Sequence, residues 1–170
     1  MSGLEQVKAA VAAALERAGL TAVLEYAPER LRHYKGPVVT VGVRRGECRQ
    51  AGLWDYLGER EEKGARREIY GRRLDITLSL DAWADAETGA ERCQQALERA
   101  YEAVLNGLPA GIRPGEMVWE EVKWDRETGM FLRRGTLQCG VYLLAAAREE
   151  TGELTDFVLK GVLTDERHYS

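Results

Sequence analysis

Arg73-Leu74-Asp75-Ile76-Thr77-Leu78-Ser79-Leu80-Asp81 alternates polar and apolar residues without a break. A period of two sets Leu74, Ile76, Leu78 and Leu80 on one face of a strand and Asp75, Thr77, Ser79 and Asp81 on the other. Downstream the period changes. From Gly89 to Leu105, Ala90, Cys93, Leu97, Ala100, Tyr101 and Val104 recur at helical spacing, while Glu91, Arg92, Gln95, Glu98, Arg99 and Glu102 fill the opposite side. Asp85, with Thr88 three residues on, is the expected N-cap. A one-sided strand joined by a short link to a one-sided helix folds back and buries both apolar faces. That pair is the expected core.

Upstream, Ser2-Gly3-Leu4-Glu5 has capping-box spacing, with Ser2 as N-cap. The helix it opens runs to about Ala18 on a stripe of Leu4, Val7, Val11, Ala14, Leu15 and Ala18, and Gly19 stops it. Thr21 to Ala27 reads as a short strand ended by Pro28, and Glu29 to Gly36 as a turn region. Val38-Val39-Thr40-Val41-Gly42-Val43 is β-branched and reads as a strand, with Gly42 marking a bulge or close contact. Between Arg44 and Arg72 charges and glycines crowd the chain, and only Leu53-Trp54-Asp55-Tyr56-Leu57 offers packing material. Two readings stand for this stretch: a solvated hairpin extension, or an arm that orders against a partner.

Beyond the central helix, Asn106 to Gly111 forms a connection and Met117 to Trp124 a strand. Asp125-Arg126-Glu127-Thr128-Gly129 reads as a hairpin loop. The return strand runs from Met130 to about Ala146, with Phe131, Leu137, Cys139, Val141 and Leu143 on one face and Arg134, Thr136 and Gln138 on the other. Leu154 to Leu163 is the last strand, and the tail from about residue 164 is expected to fray. The expected fold class is α+β, a mixed, mainly antiparallel sheet with an N-terminal helix and one central amphipathic helix packed on one face. One domain over residues 1–170 is expected, with a charged arm at 44–72.

The composition is that of a soluble globular domain, 45% hydrophobic and 31% charged. The N-terminal residues lack the basic and apolar blocks of a secretory signal, so a cytoplasmic protein is expected. No apolar run approaches the length of a membrane span. A net charge of −4 argues against general nucleic-acid binding, which draws on neutralised phosphates, although a local basic patch stays open. Cys48, Cys93 and Cys139 have no metal-site spacing and are expected as reduced thiols.

The sequence offers no chemistry. The two histidines, His33 and His168, stand apart from other ligands. There is no phosphate loop, dinucleotide fingerprint or nucleophile elbow. Glu120 and Glu121, as strand neighbours, would point to opposite faces. No catalytic residue, cofactor or metal is expected. Of the four tryptophans, Trp54 stands out, because it lies in the charged arm where no core is evident, and aromatics so placed anchor interfaces. Trp119 and Trp124 read as core or sheet-edge residues.

The layout resembles a known family. A short N-terminal helix and two strands precede a Gly/Arg/Glu-rich insertion carrying Trp54-Asp55-Tyr56-Leu57-Gly58. Then come "RRLDITLSLDAWA", the helix "TGAERCQQALERAYEAVL" and a terminal hairpin with a long strand. From about Leu4 to Leu163 this is similar to the tail-terminator and minor tail-completion proteins of bacteriophages and prophage-derived tail particles. The resemblance implies a structural protein that closes into a ring, typically a hexamer, on the last ring of the tail tube, stops its growth and presents the head-joining surface. Implied partners are other copies of the chain, the tail tube protein and head–tail connector proteins, with neither sequence-specific nucleic acid nor membrane. It implies assembly in the bacterial host cytoplasm, then incorporation in the virion or tail-like particle. The expected subunit or tube interface comprises Arg44, Arg45, Trp54, Tyr56, Arg60, Lys63, Arg66 and Arg67. Alternatives are a tail tube subunit, a head-completion protein, or a small-molecule-binding domain or enzyme on the aromatic-rich sheet.

Overall fold

A computed structural model describes residues 3–24, 27–62, 64–147 and 154–159. Ser2, Glu25, Tyr26, Lys63, the Glu149-Glu150 pair, the segment Lys160 to Leu163, and the tail with His168 lie outside the described residues. The fold is α+β. In chain order the elements are α1 (Gly3–Arg17), β1 (Thr21–Val23), α2 (Pro28–Leu31), β2 (Val38–Gln50), a 3-10 turn (Leu53–Asp55), β3 (Tyr56–Glu62) and β4 (Ala65–Ala84). Then follow α3 (Ala90–Gly107), β5 (Arg113–Trp119), β6 (Lys123–Asp125), β7 (Met130–Arg133), β8 (Gly135–Ala147) and β9 (Leu154–Leu159).

Two long hairpins lie side by side. In the first, β2 and β3 run in line antiparallel to β4. In the second, β5 and β6 run in line against β7 and β8. The hairpins join where β4 pairs with β8 from Gly71↔Leu144 to Ser79↔Thr136 and with β7 from Ala82↔Arg133 to Ala84↔Phe131. β1 adds parallel to the start of β2, which makes the sheet mixed, and β9 adds antiparallel to the end of β8.

Both α1 and α3 cover one face, called the back. Val7, Val11 and Leu15 of α1 and Cys93, Ala96, Leu97, Ala100 and Val104 of α3 meet Leu74, Ile76, Leu78, Leu80, Leu137, Cys139 and Val141 in one buried cluster. The period-two and period-3.6 stripes expected from sequence are this core. Gly19, at φ 76°, ends α1 in a Schellman arrangement, with Leu20 N–H donating to Leu15 O at 3.0 Å and Gly19 N–H to Glu16 O at 2.9 Å. Arginines of each helix cap the C-terminal end of the other: Arg17 donates to Gly107 O at 2.7 Å, and Arg99, from the middle of α3, to Ala18 O at 2.8 Å. The three cysteines are free thiols, Cys48 exposed and the other two buried.

At one end the front face carries a second cluster, in which Leu31, Met130 and Leu132 cover Val38 and Trp83. The rest of the front is open. The α2 turn is held over that end by Arg32 donating to Thr128 O at 3.0 Å.

Several expectations are corrected. Asp85 does accept the Thr88 N–H at 2.6 Å, but it closes a turn, and α3 starts at Ala90 with Gly89 in the N-cap position. The strand from Thr21 stops at Val23, and Pro28 begins a helical turn, where its missing N–H goes unneeded. The expected strand Met117–Trp124 is β5 plus β6, with Glu120 and Glu121 in the gap between them, so they are not strand neighbours. The long return strand is likewise split at Arg134, without any slip of register against β4. Both splits fall at the same level for one reason. Arg133 is buried there, donating to Glu120 O at 2.9 Å, to Gln94 O at 3.0 Å and to Glu98 Oε1 at 3.1 Å on α3.

Candidate interaction surfaces of the ribbon and the front face

The stretch 44–72 is regular structure along most of its length. β2 continues through it to Gln50, and β3 pairs with the first residues of β4 to form a two-stranded ribbon closed at Gly64. Of the two readings open in the sequence, the hairpin is the one that describes its conformation. The paired part, Ala65 to Tyr70 on β4, projects about 20 Å at about 3.3 Å per residue.

Strand alternation gives the ribbon two unlike faces. The register opposes Glu59 to Glu68 and Glu61 to Arg66 on one side, and Arg60 to Arg67 on the other. Because β4 is continuous, Arg66 and Glu68 share the parity of Leu74 and Ile76, so the acidic side continues the back of the sheet. Arg67 shares the parity of Arg73 and Asp75, so the basic side continues the front. Like charges directly opposite each other destabilise a pair of strands. Here that occurs twice, at Glu59–Glu68 and Arg60–Arg67, relieved in part by Arg66 lying 3.7 Å from Glu59.

At the ribbon's root, Trp54 and Asp55 hold φ of 58° and 61°. A left-handed conformation is unfavourable for a bulky side chain, by about 1–3 kcal/mol. The Asp55 carboxylate is held by Arg72 at 3.2 Å, and its other oxygen is buried without a hydrogen bond. The strained turn displays Leu53 and Trp54, each 82% exposed. Tyr56 meets Tyr70 edge-on at 5.7 Å between centroids.

The open front forms a groove of about 500 Å³ beside the ribbon's root. Its lining includes Arg45, Arg49, Arg73 and Arg113 against the carboxylates of Glu47 and Asp75. Register explains the convergence: Arg45, Glu47 and Arg49 oppose Thr77, Asp75 and Arg73, and Arg113 opposes Gly140 two strands away. Arg49 bonds Glu47 at 2.8 Å, and that hydrogen bond holds the Glu47 carboxyl below its usual range. Arg73 bonds Asp75 at 2.9 Å. Among the described residues the Arg113 guanidinium forms no hydrogen bond or ion pair. Gly115 and Gly140 leave the floor low.

The interface residues expected from sequence therefore fall in three places. Arg60, Arg66 and Arg67 are on the ribbon, Arg66 on its acidic side. Trp54 and Tyr56 are at its root. Arg45 lines the groove, and Arg44 reaches Asp81 at 3.5 Å, where burial raises the Asp81 carboxyl despite that cation. Lys63 lies outside the described residues. Sequence reading missed Arg49, Arg73 and Arg113. The alternation Arg45-Glu47-Arg49 was the available signal, hidden because 44–50 read as loop. Trp119 and Trp124 stand half-exposed at the sheet edge, Trp119 tilted against Tyr101 and Trp124 edge-on to Phe131.

No group of His, Cys, Asp or Glu side chains suited to a metal occurs among the described residues, and no described helix is long and apolar enough to cross a membrane. No protein-family model matches the sequence, and no curated protein matches it.

Proposed function

We propose that this chain is a structural subunit that associates with copies of itself through its projecting ribbon, in the manner of a phage-type tail terminator: a ring seated on the end of a tail tube, stopping its growth and offering a surface to the head connector. The observation that carries the reading is the ribbon itself. It is two-faced in charge, rooted in a strained turn, and it holds an indole out to solvent. Backbone strain persists only where surrounding structure enforces it, and it concentrates at functional positions. An exposed Trp beside an exposed Leu is the composition of an interface anchor. The order of elements, from N-terminal helix to ribbon to central strand and helix to long hairpin, also agrees with the layout on which the resemblance rests.

Electron microscopy of the purified protein, with sedimentation velocity across a concentration series, tests the reading. Discrete rings of one diameter that do not stack are expected. Tubes that lengthen with concentration would assign the chain to the tube. A monomer at every concentration would overturn self-association altogether.

A further inference from the structure

We infer that the acidic back of one copy's ribbon seats in the arginine-lined front groove of a second copy of this chain. The inference rests on the self-association proposed above and names the two surfaces that meet.

Three observations carry it. First, the charges match. The groove holds four guanidiniums against two carboxylates, a surplus of two positive charges. The ribbon's back holds Glu59, Glu61 and Glu68 against Arg66, a surplus of two negative charges. Second, the Arg113 guanidinium has no hydrogen-bonding or ionic partner among the described residues, and a guanidinium fork is suited to binding a carboxylate through two hydrogen bonds. Third, one copy cannot satisfy itself. The acidic residues continue the helix-covered side of β4, and the groove lies on the opposite side of the same strand. A ribbon can reach a groove only on another molecule, front against back. Such a contact leaves a free ribbon at one end and a free groove at the other, so it repeats, as a ring where the rotation between copies closes and as a filament where it does not. The chain's net charge of −4 makes the basic groove a local exception, which gives the contact its specificity.

The test is a charge exchange read by sedimentation velocity. The groove variant carries Arg73→Glu and Arg113→Glu, and the ribbon variant carries Glu59→Lys and Glu61→Lys. Each alone should raise the half-assembly concentration about a hundredfold, since each sets like charges across the contact. Mixed in equal amounts they should assemble again, because each variant's ribbon now meets a groove of opposite sign. That recovery also shows that both variants are folded. If both variants assemble as the parent does, the contact lies elsewhere and this inference falls while self-association stands. If the mixture does not recover, the pairing of these two surfaces is wrong. If the parent itself stays monomeric, this inference and the proposed function fall together. If the groove variant assembles normally but loses retention of a single-stranded oligonucleotide that the parent holds, the groove serves nucleic-acid phosphates instead.

Discussion

At the scale of single residues, two side chains separate stability from function. Trp54 sits at φ 58° and packs on little, being 82% exposed. Glycine occupies that region without penalty, whereas an L side chain there is disfavoured by about 1–2 kcal/mol per residue. Trp54→Gly should therefore leave the melting temperature unchanged or higher, while weakening self-association in sedimentation. A drop of several degrees would mean that the indole belongs to the fold. Glu98 behaves oppositely. The hydrogen bond from Arg133, and then that from Gln94, holds its carboxyl below the ordinary 4.5. A carboxylate whose folded value is depressed stabilises the protein above its unfolded value, and that contribution disappears as pH falls through the folded one. Glu98→Gln should accordingly be less stable than the parent in urea at neutral pH, with the difference shrinking as the pH is lowered below the ordinary 4.5. A difference that persists in acid would show that the pair with Arg133 is not its source.

At the scale of elements, the helix and the ribbon answer differently to mutation. Leu97 is fully buried on α3, so Leu97→Ala should lose about 2–5 kcal/mol in chemical denaturation. Arg60, Arg66 and Arg67 are exposed, where a substitution shifts stability by about 0.5 kcal/mol or less. Changing all three to Glu should spare the melting curve and leave assembly at the parent's level or above, because Arg66 lies among the acidic residues of the back while Arg60 and Arg67 lie on the side away from the groove they would enter. Loss of assembly by that triple variant would show that the ribbon binds through its basic side instead. The contrast also explains what the sequence disclosed. Leu74 to Leu80 and Cys93 to Val104 face a single environment each, so their periods appear plainly. From Arg45 to Gln50 charged residues alternate with Gly46, Cys48 and Gln50, which are small or polar and not a hydrophobic stripe. Residues 65–72 carry charge on both faces, so neither stretch shows an apolar period and both read as loop. The split at Arg133–Arg134 was hidden for another reason. A buried arginine needs carbonyls and a carboxylate from α3 and from the loop after β5, and such long-range partners leave no local trace. The groove was invisible likewise, since Arg113 meets Arg45 and Arg73 only through the pairing of separate strands.

At the scale of the whole molecule, charge sidedness sets how assembly should respond to solution conditions. A contact between opposed charged surfaces weakens with salt, as the screening length drops from about 10 Å at 0.1 M to about 3 Å at 1 M. Oligomers seen at low ionic strength should dissociate in about 1 M sodium chloride and re-form on dialysis, followed by light scattering. Insensitivity to salt would point instead to an apolar contact through Leu53 and Trp54. The unbroken run of β4 from Ala65 to Ala84 has a mechanical consequence. One strand is both the middle of the core and half of the ribbon, with no hinge in its pairing between Gly71 and Ser79. The ribbon is thus a cantilever whose aim is inherited from the twist of the sheet. A rotation of about 10° at its root would swing the tip by about 3.5 Å over about 20 Å of length, roughly the spacing between residues along a strand. Changes deep among Leu74, Ile76 and Leu78 would then misdirect a tip they never touch, and the angle between neighbouring subunits would be set in the core.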